Sequence, residues 1–268
     1  MHWPRTLAFL EEARRYGYDL AIQLHGSGKT SNPFILELGA RCTAGYYDGS
    51  PPAGLTIGAP YPADRPEVLR NLGILDVLGL PPGEPQLEFP LLPDDRAKAA
   101  ALLSRHGLRK RPLLGLHVGA RPPARFAVVG DTLADWFGLA VVLTGSPAER
   151  DLAEQVRARM RHPAVNLAGE TDIGCLAAVI GQTALFISND TGPAHVAVAL
   201  DVPSVTIFGP ADRHRWAPLD QRRHRIVYRV VECSPCPHWE CPIDHRCLRW
   251  ITVDAVVQAA ADVLALAG

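Results

Sequence analysis

Short aliphatic runs alternating with helix-like stretches dominate the second half of the chain. PLLGLHVGA (112–120), LAVVLTGS (139–146), AVNLAGE (164–170), ALFISND (184–190) and SVTIFGP (204–210) each give way to Gly, Ser or Asn. Such runs, apolar without a break, predict strands of a parallel sheet buried on both faces. Between and after them the pattern predicts helices over 125–136, 147–160, 173–181, 193–200 and 253–266. A parallel sheet covered by helices follows, and ligands on such sheets bind at the carboxyl ends of the strands.

The first half is less regular. DLAIQLHG (19–26) predicts a strand, 30–38 a helix and CTAGY (42–46) a short extended piece, followed by a Gly/Pro-rich loop over 48–62 and a helix over 67–78. The proline-rich GLPPGEPQLEFPLLPDD (79–95) reads as a linker feeding a helix over 94–106. These shifts divide the chain into two lobes, residues 1–92 and 93–268, with no internal repeat.

With 268 residues the chain has material for one large domain or two ordinary ones. Its formal net charge of -1 argues against nucleic-acid binding, so any anion site must be local. No apolar run approaches the roughly 20 residues that span a bilayer, and MHWPRTLAFLEEARRYGYDL lacks the order of a signal peptide. On these grounds the expected location is cytoplasmic.

The stretch SNDTGPAHVAVAL concentrates polar chemistry directly after a buried-looking strand. Gly192 permits close backbone approach, and Pro193 suits a first helical turn, where its missing N–H costs nothing. The amides of that helix then face the strand ends, where a phosphate or diphosphate is favoured. His195 in the first turn is read as a neutral ring that contacts ligand or ties two loops together. In LTGSPAE, Ser146 and Glu149 have the spacing of a capping box with Pro147 at the first helical position. Glu149 therefore caps its helix or binds hydroxyls, and the spacing does not choose. GSGK (26–29) lacks the full spacing of a P-loop.

DTGPAH followed by ALDVPSVTIFGP, with HVGARPP, VVLTGSPAE and YDLAIQLHGSGKTS upstream, resembles the glycosyltransferase family 9 proteins, which include ADP-heptose:lipopolysaccharide heptosyltransferases. The resemblance covers most of the chain. It implies a GT-B fold of two Rossmann-like lobes with parallel sheets, the C-terminal lobe holding a nucleotide sugar and the N-terminal lobe a lipid-linked glycan acceptor. Carried over by motif, Asp190, Thr191, Gly192 and His195 line the donor's sugar and diphosphate. Gly119, Ala120 and Arg121 lie beside the phosphates, Glu149 reaches the nucleoside, Thr171 lies near it, and Lys29 faces the acceptor. The implied reaction is an inverting transfer of heptose or a related sugar from an ADP-heptose-like donor to a lipopolysaccharide core or similar envelope glycolipid. It needs no metal or other cofactor, and it places the protein in the cytoplasm with peripheral contact at the inner membrane.

Two departures stand out. The family's first strand and loop, with its general-base Asp, precede everything in this sequence, so the N-terminal lobe is expected to be incomplete and no residue receives the catalytic role. After HVGARPP the usual basic, Trp-containing stretch is replaced by PPARFAVV, leaving Arg121 or Arg125 to neutralise phosphate. A shortened, non-catalytic nucleotide-sugar-binding pseudoenzyme is the alternative reading.

Of six cysteines, Cys42 and Cys175 stand alone in apolar contexts, as core residues do. Cys233, Cys236, Cys241 and Cys247 have spacings that suit closure around a structural zinc, with His238 and His245 as alternative ligands. Free thiols in a proline-rich loop and a disulfide are the other two readings. The basic run DRHRWAPLDQRRHRIVYR (212–229) is read as a solvated loop or as a surface facing lipid phosphates.

Overall fold

The computed structural model describes residues 3–119, 122–236, 238 and 240–267. The chain forms two units, Met1–Gln86 and Leu87–Gly268.

The first unit holds a three-stranded parallel sheet in the order β1-β2-β3, formed by β1 (Leu20–Ile22), β2 (Cys42–Tyr47) and β3 (Ile57–Pro60). Its helices are α1 (Trp3–Tyr16), α2 (Ser31–Leu36) and α3 (Glu67–Val77). The third strand lies inside the segment expected to be a loop. Its exposed positions alternate with half-buried ones, and its Gly and Pro conceal the pattern.

The loop after β1 is closed on itself. Gln23 Nε2 and Asn32 Nδ2 both donate to the Tyr46 carbonyl, at 3.1 and 2.9 Å, while Ser31 Oγ donates to Gln23 Oε1 at 2.8 Å. Gly28 is required there. Its φ is +78°, and a Cβ would lie 2.2 Å from Asn32 Nδ2 and 2.3 Å from the Tyr46 carbonyl oxygen.

The second unit opens with α4 (Pro93–Arg105) and holds a six-stranded sheet, every neighbouring pair parallel, in the order β6-β5-β4-β7-β8-β9. Its strands are β4 (Leu113–His117), β5 (Ala140–Thr144), β6 (Ala164–Asn166), β7 (Thr183–Asn189), β8 (Ser204–Ile207) and β9 (His224–Val227). The intervening helices are α5 (Pro123–Phe137), α6 (Arg150–Arg157), α7 (Ile173–Ile180), α8 (Gly192–Ala199), α9 (Arg213–Trp216), α10 (Arg246–Arg249) and α11 (Val253–Ala267). A 3-10 turn, Pro147–Glu149, precedes α6.

Every residue of β4 and β5 is buried, as their unbroken apolar runs require. Leu114, Leu116, Leu143, Leu185 and Ile187 join one core, each contributing about 1.5–3 kcal/mol by leaving water. α5 and α11 line that side of the sheet through Phe126, Leu133, Val256 and Ala260. The edge strand β9 falls in the basic run read as a loop. His224 is buried there, its Nδ1 2.9 Å from Ser204 Oγ, and burial holds its pKa below the usual imidazole range. The last helix agrees with expectation, and the 3-10 turn divides what the pattern gave as one helix over 147–160.

Candidate functional site

In the second unit the chain runs outward from β4 through β5 to β6, then returns to β7 on the other side of β4 and continues to β9. The strand order therefore reverses between β4 and β7, and the crevice outside their carboxyl ends is where such sheets bind ligands. The β4–β7 ladder reaches its end with His117 opposite Ser188. Gly119 and the segment Asn189–Gly192 follow on the two sides of that crevice.

α8 begins there with Thr191 as its N-cap and Pro193 in its first turn. Thr191 makes no capping bond to the helix. Its hydroxyl donates to the Asn189 carbonyl at 3.3 Å instead. The first turn thus keeps amide donors unmatched by any side-chain cap, and the helix dipole adds positive potential at the same point.

Asp190 is largely buried, with His195 Nε2 3.8 Å from its Oδ1. Burial pushes the Asp190 carboxyl above its ordinary range, opposed by the nearby His195. The pair opens into a cleft whose other walls include Thr206, Phe208, Trp216 and Pro218. The ring of His195 lies 6.2 Å from that of Trp216, and the Arg215 guanidinium sits over the indole. Carboxylate, imidazole and indole together line the cleft with two polar groups and one flat apolar face.

Across the crevice, His117 is buried at the end of β4 with its Nδ1 3.1 Å from Thr144 Oγ1. Desolvation lowers its pKa, and the Glu149 carboxylate works against that shift. Glu149 itself accepts the Ser146 N–H at 2.7 Å, so its capping role is realised. Burial acts to raise its pKa, yet the Ser146 bonds and His117 outweigh it and leave the carboxyl below its usual range.

The motif residues are thus divided. Asp190, Thr191, Gly192 and His195 gather at the start of α8, with Gly119 beside Asn189 across the crevice. Glu149 lies after β5, and Thr171 is half-buried in the segment between β6 and α7. Ala120 and Arg121 lie outside the described residues. Lys29 is exposed in the first unit, in the self-closed loop after β1. Arg125, the other candidate for phosphate, is committed elsewhere: its guanidinium donates to the carbonyls of Arg249 and Ile251, at 2.5 and 2.8 Å.

Cys233, Cys236, Cys241 and Cys247 are free thiols. The Cys236 amide ties their loop to the Pro210 carbonyl at 2.9 Å, and the His245 amide donates to Cys241 Sγ at 3.0 Å. Among the described residues no three or more His, Cys, Asp or Glu side chains are grouped to hold a metal ion. None of the helices in the described residues is long and apolar enough to cross a membrane.

His117, Asn189 and Trp216 were not singled out by the motifs. His117 and Asn189 sit inside apolar runs that read as strand, and Trp216 is masked by the charges around it. Only the pairing of β4 with β7 brings the first two to one crevice.

Fold and crevice define a Rossmann-like α/β unit with a helix start free of a side-chain cap at the point where the strand order reverses. The sequence profile of glycosyltransferase family 9 (heptosyltransferase) matches residues 6–246, and the chain belongs to that family. It is 27% identical over 174 residues to lipooligosaccharide heptosyltransferase 2 of Campylobacter jejuni, covering 61% of this chain and 53% of the relative. The chain spans about half the length of the curated relatives it matches. The glycosyl transferase family 9 structure from Veillonella parvula shares the fold with a TM-score of 0.80 at 23% identity, covering 97% of this chain and 79% of that one. The structure of Escherichia coli ADP-heptose LPS heptosyltransferase II does so with a TM-score of 0.72 at 21% identity, covering 100% and 82%.

Proposed function

We propose that the chain is a glycosyltransferase that binds a nucleotide sugar, ADP-heptose or a close relative, in the crevice between β4 and β7. It transfers the sugar, with inversion and without a metal, to a lipopolysaccharide core or similar envelope glycolipid at the cytoplasmic face of the inner membrane. The observation that carries this reading is the uncapped start of α8 beside the buried Asp190 and its neighbour His195.

The chemistry follows from that arrangement. Transfer leaves negative charge on the departing diphosphate, and fixed amide donors at a helix start stabilise developing charge without having to reorganise. In this reading Gly192 and its neighbours hold the diphosphate together with Gly119, Ala120 and Arg121. Asp190, Thr191 and His195 contact the sugar, Glu149 and Thr171 the nucleoside, and Lys29 the acceptor. Family membership and the names of the relatives, which are lipooligosaccharide and lipopolysaccharide heptosyltransferases, support the choice of donor and acceptor.

A turnover assay with ADP-heptose and a heptose-deficient lipopolysaccharide core tests the proposal. The expected result is ADP release that requires the acceptor, with heptose appearing on the glycan. Saturable donor binding with no release would overturn the transferase reading in favour of a nucleotide-sugar-binding pseudoenzyme.

A further inference from the structure

Among the described polar side chains at the crevice, Asn189 stands apart. His117 is matched to Thr144, Glu149 to Ser146, and Thr191 to the Asn189 carbonyl. Asn189, the last residue of β7, is only 7% exposed, and its Oδ1 is buried with no hydrogen-bond partner among the described residues. Its side chain lies against Gly119, where an added Cβ would come 3.4 Å from Asn189 Cγ and 3.6 Å from Nδ2. It therefore stands at the point of strand-order reversal, next in sequence to Asp190.

Buried polar atoms are almost always bonded, and an exception calls for a reason. Asn32 in the first unit shows what a structural asparagine does: its Oδ1 is also unmatched, but its Nδ2 anchors the side chain on the Tyr46 carbonyl at 2.9 Å. Among the described residues no hydrogen bond ties the Asn189 carboxamide to the fold. What can employ it is fixed by chemistry. A phosphate offers only acceptors, whereas a sugar hydroxyl both donates and accepts, as a carboxamide does through its oxygen and its NH2.

We propose that Asn189 is a sugar-reading residue of the donor site, its carboxamide bonding a hydroxyl of the nucleotide-linked sugar. The inference rests on the reading of the crevice as that site and adds a residue to it. A site built to bond a hydroxyl discriminates strongly against ligands that lack it, because its own polar group is then left unpaired. Asn189 thereby separates the nucleotide sugar from the bare nucleotide.

The test is calorimetric titration of the native protein, Asn189→Leu and Asn189→Ala with ADP and with ADP-heptose, alongside thermal melts. Leucine keeps the approximate size of asparagine without polar atoms, and alanine serves if leucine disturbs packing. Loss of one hydrogen bond to the sugar is expected to weaken ADP-heptose about tenfold, while ADP affinity stays within about twofold of native. The leucine variant is expected to melt no lower than native, since it removes a buried acceptor that lacks a partner. Equal weakening of both ligands, or of neither, would overturn the assignment. A folded native protein that binds neither ligand would instead overturn the donor-site reading, and the role of Asn189 with it.

Discussion

Two helix starts on the carboxyl edge of one sheet are written in nearly the same residues. After β5 the chain reads TGSPAE, and after β7 it reads DTGPAH. In both, proline and alanine are followed by one polar residue. At the first start that residue is Glu149, whose carboxylate returns to the Ser146 amide at 2.7 Å. At the second it is His195, which faces the buried Asp190, and no side chain caps the helix. The first start satisfies itself. The second has no side-chain cap among the described residues, and under the proposed function that difference separates a structural turn from a binding site.

The largest expected effect comes from attacking the open start. Asp190→Ala and His195→Ala should each weaken ADP-heptose about tenfold or more, equivalent to about 1.4 kcal/mol. Their melting temperatures should stay near native, because neither side chain caps the helix. A large loss of stability in both, read by thermal melts, would make this start another structural turn.

The closed start should respond in the opposite sense. Glu149→Ala removes the acceptor for the Ser146 amide and should cost about 1 kcal/mol, lowering the melting temperature by a few degrees. Glu149→Gln retains an acceptor oxygen and should recover most of that loss. If the glutamine variant is stable yet binds ADP more weakly, the second oxygen of Glu149 contributes to the nucleoside site as well as to the cap.

The smallest effect is a pH dependence at the open start. Burial raises the Asp190 pKa, so the folded protein retains this proton to higher pH than the unfolded chain. The group's contribution to stability is therefore most favourable below the ordinary aspartate value of 3.8 and is lost as pH rises through the folded value. Asp190→Asn should remove this dependence. The variant should melt slightly above native at pH 7, with the difference shrinking in acid, and a difference that grew in acid would reverse the assignment.

How much could be read without coordinates depended on burial. The strands β4 and β5 are buried along their whole length, so their apolar runs are unbroken and legible. β3 exposes every second residue, and β9 carries His224 and Arg225 at an edge, so both read as loop from sequence. The same contrast holds at the site. DTGPAH announced Asp190 and His195 because turn chemistry is local, and the family resemblance supplied their roles. Asn189 and His117 stand in the same motif stretches, SNDTGPAH and HVGARPP, without a legible role, since their meaning arises only when β4 and β7 become neighbours. Arg125 looked free in the sequence, but two carbonyls of the distant segment before α11 claim it.

The most direct test of the central claim, that the start of α8 is a donor site, is calorimetric titration of the folded chain with ADP-heptose, with ADP alone for comparison. Saturable binding of ADP-heptose is expected, tighter than that of ADP and weakened about tenfold or more in Asp190→Ala. No heat of binding from a demonstrably folded chain, or binding that Asp190→Ala leaves intact, would contradict it.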